Sequence, residues 1–332
     1  MITVIEVGTV KASRGERVTG HLEVGRTASG YTLAIPVIIV QGNDEGPTLW
    51  LNGAVHGDEI NGIVAIRKVA FSVDPKELKG TLICTPMCNP PAFQVRHKLS
   101  GFDSLDMDQQ FPGNPEGLLT ERIAHILFGE IKDTADYLIN FHTIGRLFLG
   151  RPYTVFKLVD GAKPELLEEI EKTAKSFATY LNCRVDLRTA AGELPGRVEG
   201  ALDVNCIKNG IAAFMAEVGS GGRLEEENID IACTGIRNVM KRINMIPGEP
   251  TAAEEQVTLT WRKFIRCNEA GLVFMKVKPY ERVAKGTILA EIADLFGNVV
   301  EEVRAPRDCY VICARFDPVV HTGDRIAFVG SC

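Results

Sequence analysis

Two histidine-bearing segments carry residue types that could do chemistry together. In Gly53-Ala54-Val55-His56-Gly57-Asp58-Glu59 an apolar, strand-like run meets a glycine-punctuated turn, and a helical pattern begins at about Asp58. His56 and Glu59 stand three apart, so both side chains can reach one ion. Zinc accepts imidazole nitrogen and carboxylate oxygen readily, and a two-His, one-carboxylate set leaves a fourth position for water. Taken alone, the pair reads more simply as a surface histidine near a helix N-terminus. The second segment, Asp136-Tyr137-Leu138-Ile139-Asn140-Phe141-His142-Thr143, is another strand-like run that ends in a histidine. Ligands of open α/β sheets collect at the carboxyl ends of strands. Of the six histidines in the chain only His56 and His142 fall in such matching contexts. His21, His97, His125 and His321 do not, and His125 lies within a helical pattern where a structural role is simpler.

A further carboxylate, Glu217, sits in Ala213-Phe214-Met215-Ala216-Glu217-Val218-Gly219, directly after a buried-looking run. Away from a metal it reads as an exposed strand-end acid. Beside one, it can take a proton from water and hand it to a leaving group.

The elements that must position these residues alternate. Val37–Val40, Thr48–Val55, Thr81–Thr85, Asp136–Phe141, Tyr153–Val159 and Gly210–Ala216 read as strands, with a turn cluster at Gly42–Pro47. Ile60–Phe71, Leu119–Ile131, Pro164–Leu181 and Ile229–Ile243 show helical spacing. Strands alternating with helices of this length predict an α/β sandwich, with a mixed, mostly parallel sheet between helices. Residues 1–250 form the expected catalytic domain, with 1–46 as a β-rich N-terminal extension of it. After Pro247-Gly248-Glu249-Pro250 the helical period stops, and 257–332 reads as a small β-rich C-terminal domain. The acidic run Glu225-Glu226-Glu227 reads as a solvated helix start, where negative charge suits the dipole.

Composition bounds the function. The chain of 332 residues carries a net charge of −6, which argues against nucleic acid as the main partner, because a phosphate backbone demands a basic face. No apolar run reaches the roughly 18 residues needed to cross a bilayer, so no membrane partner is expected. The first residues, Met1 to Glu6, lack a secretory signature. The nine cysteines are odd in number and scattered through apolar segments, which suits reduced, buried thiols and a cytoplasmic setting. Cys84 and Cys88, and Cys309 and Cys313, are four apart rather than at the spacing of zinc knuckles.

The chain resembles the succinylglutamate desuccinylase/aspartoacylase family, relatives of the zinc carboxypeptidases, from about Asn52 to Gly219. His56-Gly57-Asp58-Glu59 is similar to the family's first metal motif, and His142 fits its third ligand. Asn89-Pro90-Pro91-Ala92-Phe93 with Arg96 resembles the segment that supplies a substrate-facing arginine, and Glu217-Val218-Gly219 the general-base motif. The resemblance implies a zinc carboxypeptidase-like fold, one Zn2+ per chain, and an activated water attacking the acyl carbonyl of a small N-acyl substrate. Glu217 would be the base and Arg96 the partner of the developing oxyanion. Esterase or carboxypeptidase-like action on the same site, or metal binding without turnover, are the alternatives. The sequence leaves a homo-oligomer open.

One departure bears on substrate. Where the family reads Asp-Leu-Asn-Arg, this chain has Asp106-Met107-Asp108-Gln109. Arginine grips a carboxylate with two parallel hydrogen bonds, whereas an amide carries no charge and Asp108 would repel one. The substrate is therefore expected to lack a carboxylate at that point, or to present an amine or amide there, with Arg146 or Arg151 as substitute cations. In the C-terminal part, Ala305–Ile312 and Val320–Ala327 resemble a biotinyl/lipoyl-type barrel-sandwich. The turn Ala293–Asn298 has no lysine to carry a swinging arm, so packing beside the cleft or at a subunit interface is the better reading.

Overall fold

Nine strands form the central sheet of the computed structural model, which describes residues 4–189, 198–251, 253 and 255–332. Met1 to Thr3, part of the segment read above for a leader, lie outside the described residues. The strand order is Val257–Leu259, Leu181–Asp186, Tyr153–Leu158, Ala212–Ser220, Tyr137–Ile144, Asp44–Gly53, Lys79–Thr85, Thr32–Gln41 and Glu16–Arg26. Five of the eight neighbouring pairs are parallel, so the sheet is mixed and mostly parallel. Helices Asn61–Ser72, Pro164–Ser176 and Glu226–Arg242 pack together over one face, and Leu119–Thr134 and Leu202–Lys208 lie across the other. Parallel strands covered on both faces bury successive residues, and Leu49, Trp50 and Leu51 are each 0% exposed. Phe177 of one helical layer ties to the sheet through Phe141 and Phe214, at ring-centroid distances of 6.2 and 6.0 Å.

Several element boundaries differ from the sequence reading, each for a local reason. The long helix predicted over 164–181 ends at Ser176, where Phe177 caps it and Ala178 turns left-handed with φ 65°. The apolar residues beyond it alternate instead, and Leu181–Asp186 is a strand. Only Gly42 and Asn43 form the turn expected over 42–47, since the next strand already starts at Asp44. The N-terminal region is a pair of short strands, Ile5–Val7 with Val10–Ala12, followed by a long hairpin of Glu16–Arg26 with Thr32–Gln41. Pro90–Val95 and Leu202–Lys208 are short helices without a readable period. At the start of Glu226–Arg242, Glu225 is not merely solvated: its Oε2 accepts from the Ser220 amide at 2.7 Å, from Asn61 at 3.1 Å and from Asn228 at 3.0 Å. All nine cysteines are free, and all but Cys332 are buried.

The C-terminal part consists of two antiparallel sheets. Trp261–Arg266, Arg325–Ser331, Cys309–Arg315 and Arg282–Val283 make one, and Val299–Arg304, Ile288–Ala293, Gly271–Met275 and Val319–Val320 the other. Two strands stitch it to the larger part. Phe148–Gly150, from the catalytic segment, pairs with Cys309–Arg315. Conversely Val257–Leu259, read from sequence as C-terminal, extends the central sheet beside Leu181–Asp186. The lysine-free turn at Ala293–Asn298 is a hairpin tip with Leu295 and Phe296 exposed. Among the described residues no helix is long and apolar enough to cross a membrane.

Candidate active site

The site is built on three adjacent strands of the sheet centre. Asp44–Gly53 ends at Gly53, and the chain turns through Ala54 at φ 51° before His56 and Glu59. That turn is locked from outside. The Gly57 amide donates to the His97 carbonyl at 3.0 Å, and the Asp58 carbonyl accepts from Gly222 at 2.6 Å. A Cβ at position 57 would lie 2.0 Å from the backbone carbonyl of Ala92, so only glycine lets the Pro90–Val95 helix approach. The helix starts at Asn61, one residue into the predicted Ile60–Phe71 pattern and three past the Asp58 start read from the motif. His142 and Glu217 lie inside their strands rather than after them, because Tyr137–Ile144 and Ala212–Ser220 stay paired, with Glu217 in register opposite His142.

His56, Glu59 and His142 are 5%, 6% and 3% exposed, and one donor atom of each lies within 4.8 Å of the others. His56 Nδ1 is 2.8 Å from Glu59 Oε1, and His142 Nδ1 is 3.0 Å from Glu59 Oε2. The far ring nitrogens are also held: His56 Nε2 by Asp106 Oδ1 at 3.0 Å, and His142 Nε2 by Asn140 Nδ2 at 2.8 Å. Behind Asn140 runs a buried chain in which Trp50 Nε1 donates to Thr85 Oγ1, Thr85 to Asn52 Oδ1, and Asn52 Nδ2 to Asn140 Oδ1. Outer partners of this kind fix ring orientation in metal sites and leave the near nitrogens facing inward. Glu59 Oε2 is buried, and its contact with His142 lacks hydrogen-bond geometry. A sealed carboxylate that sets one oxygen against each of two imidazole nitrogens fits a divalent cation. Burial opposes ionisation of Glu59, but the two histidines outweigh it and bring its pKa to about 2. Burial likewise opposes charge on His56, yet Glu59 and Asp106 raise its pKa to about 10.

Glu217 faces the same space. Its Oε2 is buried with no hydrogen-bond partner among the described residues. Burial, with Glu59 adding to it against the pull of His142, raises its pKa to about 7. A carboxylate poised near neutrality is suited to give and take a proton.

These groups line a cavity of about 260 Å³. Of the residues singled out in the sequence, the structure brings His56, Glu59, His142, Glu217, Asp108 and Gln109 to its wall. Asp108 Oδ1 accepts from the Leu202 amide at 3.3 Å, and Gln109 Nε2 donates to Asp106 Oδ2 at 3.0 Å. Burial raises the Asp108 carboxyl above its ordinary value.

Four residues named in the sequence stand elsewhere. Arg96 is exposed and ends the Pro90–Val95 helix in a left-handed conformation, φ 52°. Lys98, two residues on, lines the cavity instead and pairs with Asp106 Oδ2 at 3.1 Å. Asn89 is fully buried as the N-cap of that helix, accepting from Ala92 and donating to the Val55 carbonyl at 2.8 Å. It braces the His56 turn and does not reach the cavity. Arg146 reaches out to the Arg96 carbonyl at 3.2 Å, and Arg151 is taken by Glu227 and the Tyr280 ring.

Sequence reasoning passed over further lining residues. Asp106 lay inside a motif already quoted and Lys98 two residues beyond Arg96, so both were within reach of the sequence. Lys157 is buried against Asp203, with both carboxylate oxygens 2.7 Å away. Arg262, Phe264, Arg325 and Phe328 come from the C-terminal part, which thus packs beside the cleft. Nothing local marks those four, because only the tertiary contact brings them there.

Residues 45–243 match the succinylglutamate desuccinylase/aspartoacylase catalytic domain family. The N-alpha-acetyl-L-2,4-diaminobutyric acid deacetylase of Halomonas elongata is 28% identical over 302 residues, covering 89% of this chain and 85% of that protein. The product-bound ectoine utilization protein EutE (DoeB) of Ruegeria pomeroyi superposes with a TM-score of 0.85 at 26% identity, covering 100% of this chain and 99% of that one. A succinylglutamate desuccinylase/aspartoacylase from Rhodobacter sphaeroides gives a TM-score of 0.81 at 28% identity, covering 95% of each. Two imidazoles and a carboxylate gathered at the strand ends, a second carboxylate in register beside them, and a match over most of the larger part lead to one assignment: the chain belongs to the succinylglutamate desuccinylase/aspartoacylase family of N-acyl amide hydrolases.

Proposed function

We propose that this protein is a zinc-dependent deacylase that hydrolyses the amide of a small, amine-bearing N-acyl molecule. The observation that carries the reading is the buried His56–Glu59–His142 cluster with Glu217 in register beside His142 on one cavity wall. Zinc held by the three residues would supply Lewis acidity toward the acyl carbonyl and acidify a water. Glu217 takes the proton of that water as its oxygen attacks the carbonyl carbon. It then gives the proton to the amide nitrogen as the C–N bond breaks, releasing a carboxylic acid and an amine, which become carboxylate and ammonium once the acid's proton passes to the amine. Asp106 and Asn140 keep the imidazoles oriented through both steps. Lys98 takes the electrostatic part that the sequence assigned to Arg96, because it reaches the cavity and Arg96 does not.

The substrate reading rests on Asp108 and Gln109. A carboxylate on the wall with one oxygen bound by the Leu202 amide keeps acceptor capacity for an ammonium. The Halomonas relative acts on an acetylated diamino acid, which bears such a group. The test combines metal analysis with a deacylation panel. The expected result is one zinc per chain, activity lost on chelation, and N-acyl diamino acids favoured over N-acetylaspartate and N-succinylglutamate. Activity indifferent to chelation would overturn the metal assignment, and a strong preference for the two diacids would overturn the role of Asp108.

A further inference from the structure

The C-terminal part contributes two arginines to the cavity, and their surroundings are unusual for buried charge. Arg262 is 7% exposed. Its guanidinium lies 5.6 Å from the Phe328 ring centroid, beside the Cys183 thiol and Tyr153. Arg325 stands over the Phe264 ring at 4.0 Å. Phe264 and Phe328 are themselves stacked, with centroids 4.2 Å apart and planes 20° apart. Arginine, phenylalanine, phenylalanine and arginine therefore form one continuous stack along the cavity wall.

Strand register builds it. Arg262 and Phe264 are two apart on Trp261–Arg266 and share a face, and Phe264 pairs directly with Phe328 across the sheet. A register shift between Ile265 and Arg266 re-aims the neighbouring residue, Arg325, onto the same side.

The cavity's other cations have acidic partners: Lys98 pairs with Asp106 and Lys157 with Asp203. Among the described residues no carboxylate lies within ion-pairing distance of the Arg262 or Arg325 guanidinium. A buried charge without a counter-charge is costly, and aromatic faces stabilise it only partly. A planar fork held rigid by stacking is also preorganised for a carboxylate. We propose that Arg262 and Arg325, carried in by the C-terminal sheet, are the residues that read the carboxylate of the substrate in this chain. The proposal builds on the deacylase reading above. It moves carboxylate recognition from the Asp108–Gln109 loop of the larger part to the C-terminal sheet, and leaves Asp108 for the amine.

The test uses the full-length, zinc-loaded protein and two probes, Nα-acetyl-L-2,4-diaminobutyrate and its carboxamide. Wild type should favour the carboxylate by about 100-fold or more in kcat/KM, the scale on which a site built for a polar group rejects its analogue. Arg262→Gln and Arg325→Gln should each lower kcat/KM for the carboxylate by about 10- to 100-fold and change the carboxamide little. Arg262→Lys should restore part of the preference. If Arg262→Gln fails to fold, Arg325→Gln, less buried, carries the same comparison. Equal use of both probes by wild type, or equal loss on both in the variants, overturns the proposal. Calorimetric binding of the acetyl amino acid to the Glu217→Gln protein separates the two readings. Binding that weakens with Arg262→Gln upholds the carboxylate site even if wild type shows no turnover, and in that event only the deacylase reading falls. Binding indifferent to both arginines overturns the site, whatever the turnover.

Discussion

Replacing Glu217 by glutamine removes one proton-transfer group while keeping its shape. Positioned acid–base groups contribute about 10²–10⁴ in rate, so kcat should fall by that factor, about 3–5 kcal/mol of barrier at 1.36 kcal/mol per tenfold. Stability should move the other way. Burial raises the Glu217 pKa from 4.5 to about 7, so the folded state resists its ionisation. A raised acid disfavours folding at pH above its folded value and has no effect below its unfolded value, where both states are protonated. In the metal-free protein that rise of about 2.5, at about 1.4 kcal/mol per pH unit, corresponds to a penalty on the order of 3 kcal/mol above pH 7. The amide of glutamine, at the position where Oε2 has no partner, gives back about 1–3 kcal/mol. The variant should thus be at least as stable as wild type at pH 8, with any gain disappearing below about pH 4.5. Zinc titration, steady-state deacylation and urea unfolding at pH 8 and pH 4 check the three parts. Glu217→Gln retaining more than about a tenth of wild-type kcat, or losing zinc in proportion to activity, would refute the assignment of Glu217 as base rather than ligand.

Four other perturbations are specific. Chelating the metal should lower the melting temperature, and restoring zinc should raise it, by the binding energy of about 4 kcal/mol at a thousandfold excess over Kd; a thermal scan reads this directly. Gly57→Ala places a Cβ 2.0 Å from the Ala92 backbone carbonyl, which must displace the His56 turn. Misplacement by about 1 Å costs about 100-fold, measurable as kcat/KM with near-native circular dichroism. Lys98→Ala should cost about 10- to 100-fold in kcat/KM, whereas Arg96→Ala, outside the cavity, should stay within about threefold; the reverse order would return the oxyanion role to Arg96. Asp203→Asn strands the buried Lys157 ammonium and should cost about 3–5 kcal/mol in urea unfolding, most of it recovered in the Lys157→Met/Asp203→Leu double variant.

Sequence by itself determined the residues whose environment is local. An apolar run, a glycine turn and a histidine are contiguous in the chain, so His56, Glu59 and His142 were legible, as was Glu217 at the end of its strand. Alternation of strands and helices gave the layered sheet, because periodicity records which face each element buries. The 164–181 helix was overextended since Ile170, Ala174, Phe177 and Leu181 keep a helical interval across a real break at Ala178. Distance along the chain hid the rest. Arg96 and Lys98 are two residues apart, and only the left-handed cap at Arg96 decides which of them turns inward. Arg262 and Arg325 are separated from His56 by more than two hundred residues and become part of its cavity because the Phe148–Gly150 and Val257–Leu259 strands tie the C-terminal sheet to the larger part. Local spacing can state which chemistry a chain carries, but which charges face the substrate is settled by contacts that have no local signature, and those contacts exist only once the sheet is assembled.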